Sequence, residues 1–214
     1  MNLQLLSENL IKGNSAQVSV LVKKALKEKM TPDVILQKGL ICGMEVIGEK
    51  FKNKEIFIPE VLVAAKAMHT GLDILKPYLA REKSKQRAKA VIGTVEGDIH
   101  DIGKNIVKIM LEGSGYDVID LGKDVHVKDF FSVVKDEKPQ ILCMSALLTT
   151  TMVVMEEVIA FLKKKGVRER VKILVGGAPL TASYAKKIGA DGYGQDAVRG
   201  VETANKLLNL TVAS

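Results

Sequence analysis

The stretch AVIGTVEGDIHDIGKNIV, residues 90–107, holds the whole grammar of the fold in eighteen positions. Residues 90–95 are small, apolar or β-branched, with no alternation of polar and apolar character. That is how a strand reads when both faces of its sheet are covered. A polar and glycine-containing run, Glu96 to Asp101, interrupts it. From Ile102 to Gly113 the apolar residues Ile106, Val107, Met110 and Leu111 recur at helical spacing. Strand, polar loop and helix follow in that order.

The same order repeats toward the C-terminus. Strands read at 116–121, 141–146 and 171–177, with a short one near Asp191–Tyr193. Helices read at 127–137, 152–165, 181–188 and about 196–208. Apolar strands joined by helical crossovers make a parallel sheet with helices on both faces. The expected fold class is α/β, and this part is a doubly wound, flavodoxin/Rossmann-like five-stranded parallel sheet in the order 2-1-3-4-5. It occupies residues 89–214.

Toward the N-terminus the period changes. Asn14 or Ser15 can cap a helix carrying Val18, Leu21, Val22 and Ala25, and Thr31-Pro32 is a strong helix start. The helix from Pro32 contains Gly39, Gly43 and Gly48, each weakening it by about 1 kcal/mol relative to alanine or permitting close packing. Pro59 opens another. Residues 1–79 therefore read as a four-helix bundle. The charged run at 80–88 lacks apolar periodicity and reads as a linker.

Composition narrows the function. The net charge of +7 is uneven: residues 1–88 hold 15 basic against 9 acidic side chains, the remainder 17 against 16. The basic residues are spaced as solvated helix faces without aromatic interleaving, which disfavours nucleic acid. A docking surface for an acidic partner protein fits the basic faces at least as well. No apolar run reaches the length of a membrane span. The only cysteines, Cys42 and Cys143, lie far apart with no CxxC, so a reducing, cytoplasmic setting is expected.

Three clusters follow strand ends: Glu96–Asn105, Ser145–Thr151 and Gly176–Pro179. In an open doubly wound sheet, ligands bind at that edge, where the strand order reverses. The first cluster is not a phosphate loop. Five residues rather than four separate Gly97 from Gly103, and Asn105 stands where Ser or Thr is required. No GxGxxG fingerprint is present, and Cys143-Met144-Ser145 lacks the aspartate of a phospho-receiver. Asp98 and His100 form instead the pair expected behind a metal-ligating imidazole: a carboxylate that fixes the tautomer of a histidine.

With those residues in view, the resemblance is specific. Asp98-x-His100-x-x-Gly103, then Ser145-x-Leu147, then Gly176-Gly177 is similar to the cobalamin-binding signature of methionine synthase and of stand-alone corrinoid methyl carriers. The segments Gly48–Phe51 and Ile56–Val61 resemble the helical cap of that family. The resemblance implies a cobalamin or related corrinoid bound with its own base displaced and His100 as the lower ligand to cobalt. It implies that Asp98 orients His100 and that Thr151, where methionine synthase has serine, ends the relay. The cofactor wall would comprise Gly97, Ile99, Asp101, Ile102, Gly103, Ser145, Leu147, Gly176 and Gly177; Thr149 and Thr151 either contact the cofactor or cap the helix that follows, and Tyr193 either packs against the nucleotide tail or ends the last strand. Phe51, Ile58 and Val61 would cover the methyl face. Implied partners are a substrate-specific methyltransferase, an acceptor methyltransferase using tetrahydrofolate or coenzyme M, and a reductive activase. The chain has no room for a substrate barrel, so it is expected to be a methyl-carrying subunit rather than a complete enzyme. Two other uses of the sheet domain remain: the small subunit of an adenosylcobalamin isomerase, which usually lacks the helical cap, and a cobalamin light sensor, which carries tryptophan that is absent here.

Overall fold

The computed structural model describes residues 2–82 and 88–210. The chain divides into two compact units, residues 1–86 with 113–115 and residues 87–112 with 116–214.

The first unit is helical. Helix α1 (Leu3–Ile11) is capped by Asn2, and α2 (Ser15–Lys27) by Asn14, whose side chain accepts from the Gln17 amide. Thr31 caps the next rod, with Pro32 at its first position. That rod comprises α3 (Pro32–Ile35), a π-helical turn (Leu36–Ile41) and α4 (Cys42–Lys52). Its glycines serve close packing: a Cβ added at Gly39 would lie 2.6 Å from Leu6, and one at Gly43 would lie 3.0 Å from Leu10. Helix α5 (Ile58–Glu82) starts where Glu60 reaches back to the Phe57 amide. Leu6, Leu10, Val22, Ile35, Leu40 and Leu75 are fully buried.

Helix α5 carries the helical state beyond the sequence boundary, through residues 80–82. Leu, Ala, Arg and Glu are all good helix formers, and an established helix propagates through them without apolar periodicity. Of the expected linker, residues 83–87 lie outside the described residues.

The second unit is the doubly wound sheet. Its strands are β1 (Lys89–Thr94), β2 (Asp117–Asp120), β3 (Ile141–Ser145), β4 (Lys172–Gly176) and β5 (Gly192–Gly194), all parallel, in the order β2-β1-β3-β4-β5. The helices are α6 (Ile102–Gly113), α7 (Val127–Glu137), α8 (Val154–Lys164), α9 (Ala182–Lys187) and α10 (Ala197–Leu207).

Successive strand residues face opposite ways. Val91, Val95, Leu142, Met144, Ile173 and Val175 pack against Phe130 and Val134 of α7, Met155, Val158 and Leu162 of α8, and Ala185 of α9. Phe130 lies on Gly93, where an added Cβ would come within 2.9 Å of its ring. Burying such a ring stabilises by about 2–3 kcal/mol. The opposite face presents Ile92, Cys143 and Leu174 toward α6 and α10. On that face the sheet is not fully packed, and the C-terminal strand edge opens into a cavity.

Candidate functional site

The loop after β1 is shaped by a tight turn, in which the Asp98 amide donates to the Val95 carbonyl at 3.1 Å and Gly97 takes a positive φ of 81°. Asp124 fastens it from the next crossover: its carboxylate accepts from the Gly97 amide at 2.7 Å, and its own amide donates to the Asp98 carbonyl at 3.0 Å.

This anchoring buries the Asp98 side chain completely and surrounds it with donors. One oxygen, Oδ1, lies 2.7 Å from Nδ1 of His100 and accepts from the His100 amide at 3.0 Å. The other, Oδ2, accepts from the Leu147 amide at 2.7 Å and from the Thr151 hydroxyl at 2.7 Å. Burial alone would raise the Asp98 pKa. The hydrogen bonds from Thr151, Leu147 and His100 outweigh it and hold the carboxyl well below the usual carboxylate range. A charged carboxylate at Nδ1 makes that nitrogen the N–H side of the ring and leaves Nε2 as the basic lone pair. The His100 side chain is 46% exposed, and Nε2 has no protein partner among the described residues.

The cavity beside it has a volume of about 580 Å³ and is walled mainly by apolar and glycine residues. That is the size and character of a small-molecule or cofactor site. Its wall includes Ile99, His100, Asp101, Ile102 and Gly103 from the first loop, Ser145 and Leu147 from the second, and Gly176 and Gly177 from the third. Cβ atoms added at Gly103 or Gly200 would meet no atom within 4 Å, so side chains there would occupy the cavity itself. Gly177 differs. Its φ is 134° and an added Cβ would overlap the Ala146 carbonyl oxygen, so glycine there is a backbone requirement.

Other expected positions stand outside this wall. Gly97 and Asp98 act from behind it, in the turn and the hydrogen-bond network. Thr151 is buried against Asp98, to which its hydroxyl donates, and the chain runs in i→i+3 turns from Leu148 to Val153, so that α8 begins at Val154 instead of residue 152. Thr149 is exposed on the preceding turn. Tyr193 donates its hydroxyl to the Leu180 carbonyl at 2.9 Å and packs with the hydrophobic core, and its neighbours Gly194, Gln195, Asp196, Ala197 and Gly200 form the wall. In the helical unit Phe51 is partly buried, Ile58 is exposed and Val61 is buried.

Sequence reasoning passed over two further residues. Thr94 is fully buried at the end of β1, 2.8 Å from the Ser145 hydroxyl. Lys104 is nearly inaccessible yet borders the cavity, bonded at 2.7 Å to both Asp120 and Asn105. Burial raises the Asp120 pKa, but its bonds to Lys104, Gly122 and Lys108 lower it further than burial raises it. A polar residue inside an otherwise apolar strand was the available signal for Thr94.

Among the described residues no three His, Cys, Asp or Glu side chains gather to hold a bare ion. A lone oriented imidazole over a large apolar cavity suits a metal already held by a macrocycle with an organic tail. An Asp–His pair at the switch point of a doubly wound sheet, beside a glycine-lined cavity, is the arrangement that the corrinoid resemblance implies. Comparison with known proteins carries this further. The model of the B12 binding domain matches residues 88–202, and a second B12 binding domain model matches residues 3–76. Trimethylamine corrinoid protein 1 of Methanosarcina acetivorans is 45% identical over 87% of each chain. A cobalamin-binding protein from Desulfitobacterium hafniense, solved by crystallography, superposes with a TM-score of 0.79 at 32% identity, over 97% of this chain and 98% of that one. The methanol:cobalamin methyltransferase complex of Methanosarcina barkeri superposes with a TM-score of 0.85 at 30% identity, over 97% of this chain and 79% of the matched chain. The chain belongs to the B12-binding domain family, and its cofactor is a cobalamin-type corrinoid. Among the described residues, no helix is long and apolar enough to cross a membrane.

Proposed function

We propose that this protein holds a corrinoid through His100 as the lower ligand to cobalt and carries a methyl group from a substrate-specific methyltransferase to an acceptor methyltransferase. The observation that carries the reading is the fully buried Asp98 bonded to Nδ1 of His100, with Nε2 left without a protein partner among the described residues and His100 lining a cavity of about 580 Å³. Likeness to a trimethylamine corrinoid protein and to a methanol:cobalamin methyltransferase complex supports a methylamine or methanol as methyl donor. Tetrahydrofolate or coenzyme M is the acceptor, and a reductive activase serves the cofactor.

Bound cobalt supplies the nucleophile and the leaving group of methyl transfer. The chain supplies the rest. Asp98 keeps the Nδ1–H tautomer, so that Nε2 is the ligating nitrogen. With Nε2 not holding the metal, the ionised Asp98 beside Nδ1 would balance the charge of a protonated imidazole. Thr151 and the Leu147 amide hold the carboxylate in place during that change. The exposed apolar side chains of Ile99, Ile102 and Leu147 line the same cavity as His100 and would exclude water from the site once a cofactor is seated there. In the same reading residues 1–79 are the cap, acting through Phe51, Ile58 and Val61, and residues 80–88 are the hinge that lets it move aside for a partner.

The test is the visible spectrum of the purified protein after addition of hydroxocobalamin. A base-off, histidine-ligated spectrum is expected in the wild type and its loss in His100→Ala. A bound corrinoid that keeps its own benzimidazole on cobalt refutes the ligation.

A further inference from the structure

Ser145 lines the cavity at the end of β3, and its hydroxyl does not stand alone. It lies 2.8 Å from the hydroxyl of Thr94, on the neighbouring strand at the paired register position. Thr94 also lies 3.3 Å from the carbonyl of His100. Thr94 is fully buried, and its backbone is locked on both sides, its amide to the Gly122 carbonyl and its carbonyl to the Val125 amide, each at 3.0 Å. A buried hydroxyl that touches a cavity-lining serine on one side and the ligand loop on the other joins two regions of the site.

We infer that Thr94 is a positioning residue: its hydroxyl orients Ser145 toward a hydrogen-bond acceptor on the part of the ligand that lies against β3, and couples that contact to the backbone of His100. Proton bookkeeping gives the direction. Thr94 has one proton and two acceptors within reach, the Ser145 oxygen and the His100 carbonyl, which can only accept. With its proton on the His100 carbonyl, Thr94 accepts from Ser145, and the serine faces the cavity as an acceptor. A ring nitrogen opposite Ser145 draws the serine proton into the cavity. Thr94 then turns its proton to Ser145, exchanging the longer 3.3 Å contact for the 2.8 Å one. The resulting chain runs Thr94 to Ser145 to ligand, with each bond polarising the next, and the His100 carbonyl is released. An acceptor opposite Ser145 thus loosens the hold on the loop that carries His100.

This inference rests on the corrinoid reading, and the experiment separates the two. Equilibrium affinities are measured for hydroxocobalamin, whose benzimidazole has a ring nitrogen, and for cobinamide, which lacks that base. The proteins compared are wild type, Thr94→Val, Thr94→Ser, Ser145→Ala and the Thr94→Val/Ser145→Ala double variant. Thr94→Val should weaken hydroxocobalamin about tenfold, the worth of one hydrogen bond, and leave cobinamide within twofold. Thr94→Ser should restore wild-type affinity. In the Ser145→Ala background, Thr94→Val should have no further effect. Equal weakening of both corrinoids, unchanged affinity for hydroxocobalamin, or a full loss persisting without Ser145 overturns the inference. If Thr94→Val does not fold, Ser145→Ala decides, since equal losses for the two corrinoids overturn it as well. Failure of the wild type to bind either corrinoid refutes the corrinoid reading instead.

Discussion

Replacing Asp98 by asparagine keeps the shape of the side chain and removes one charge and one acceptor. The wild-type carboxylate accepts four bonds at 2.7–3.0 Å, from the His100 ring, the His100 amide, the Leu147 amide and Thr151. If the asparagine carbonyl keeps the His100 side, its amide nitrogen faces the Leu147 N–H. Thr151 can rotate to accept, but the Leu147 amide loses its partner, at a cost of about 1–3 kcal/mol. The bonds that survive change from charge-assisted to neutral and lose roughly half their strength. If the amide flips, its nitrogen faces the His100 N–H and forces the ring into the other tautomer. Either way we expect Asp98→Asn to lose about 3 kcal/mol at pH 7, measured by urea unfolding of the protein without corrinoid. The pH dependence sharpens the test. The folded-state pKa of Asp98 is depressed, so its stabilisation is complete above the unfolded value near 3.9 and is lost as pH falls toward the folded one. Wild type should therefore lose about 1 kcal/mol more than the variant between pH 5 and pH 3. Equal stability of the two proteins at pH 7, or a gap that does not narrow by pH 3, refutes the reasoning.

Two glycines of the site should respond oppositely to alanine. Gly177→Ala places a methyl group on the Ala146 carbonyl at a φ of 134° and should cost more than about 2 kcal/mol or abolish folding, read by thermal unfolding. Gly103→Ala lies within α6 with open space around the new methyl, so it should gain up to about 1 kcal/mol of stability while weakening hydroxocobalamin at least tenfold in a binding titration. Burial pushes the Cys143 thiol up to about 12, whereas Cys42 is exposed. Iodoacetamide at pH 8 should therefore label Cys42 alone in the folded protein, with the second equivalent taken up only in urea, counted by mass spectrometry.

The sheet is legible in the sequence because its information is local and repeated. Apolar strands alternate with 3.6-period helices, and the α6 and α7 boundaries at 102–113 and 127–137 are those read from the pattern. The order 2-1-3-4-5 expected of a flavodoxin-like sheet is the order found. Boundaries slip where a side chain has a distant partner. Helix α8 starts two residues late because the segment is drawn into i→i+3 turns while the Thr151 hydroxyl donates to Asp98, fifty-three positions away. Helix α5 overruns because residues 80–82 are chemically compatible with both helix and linker.

In the site, residue types and spacing by themselves determined that Asp98, His100, Gly103, Ser145, Leu147, Gly176 and Gly177 come to one strand edge, since each follows a strand of known direction. Only the tertiary structure decided which of the surrounding groups face the cavity. It turns Tyr193 into the core and puts Gly194 and Gly200 in the wall, buries Thr94 between Ser145 and His100, and seals Lys104 against Asp120. Spacing along a chain places a residue on an element. Its hydrogen-bond partner comes from a strand or helix elsewhere in the chain, and that partner is set only when the sheet closes.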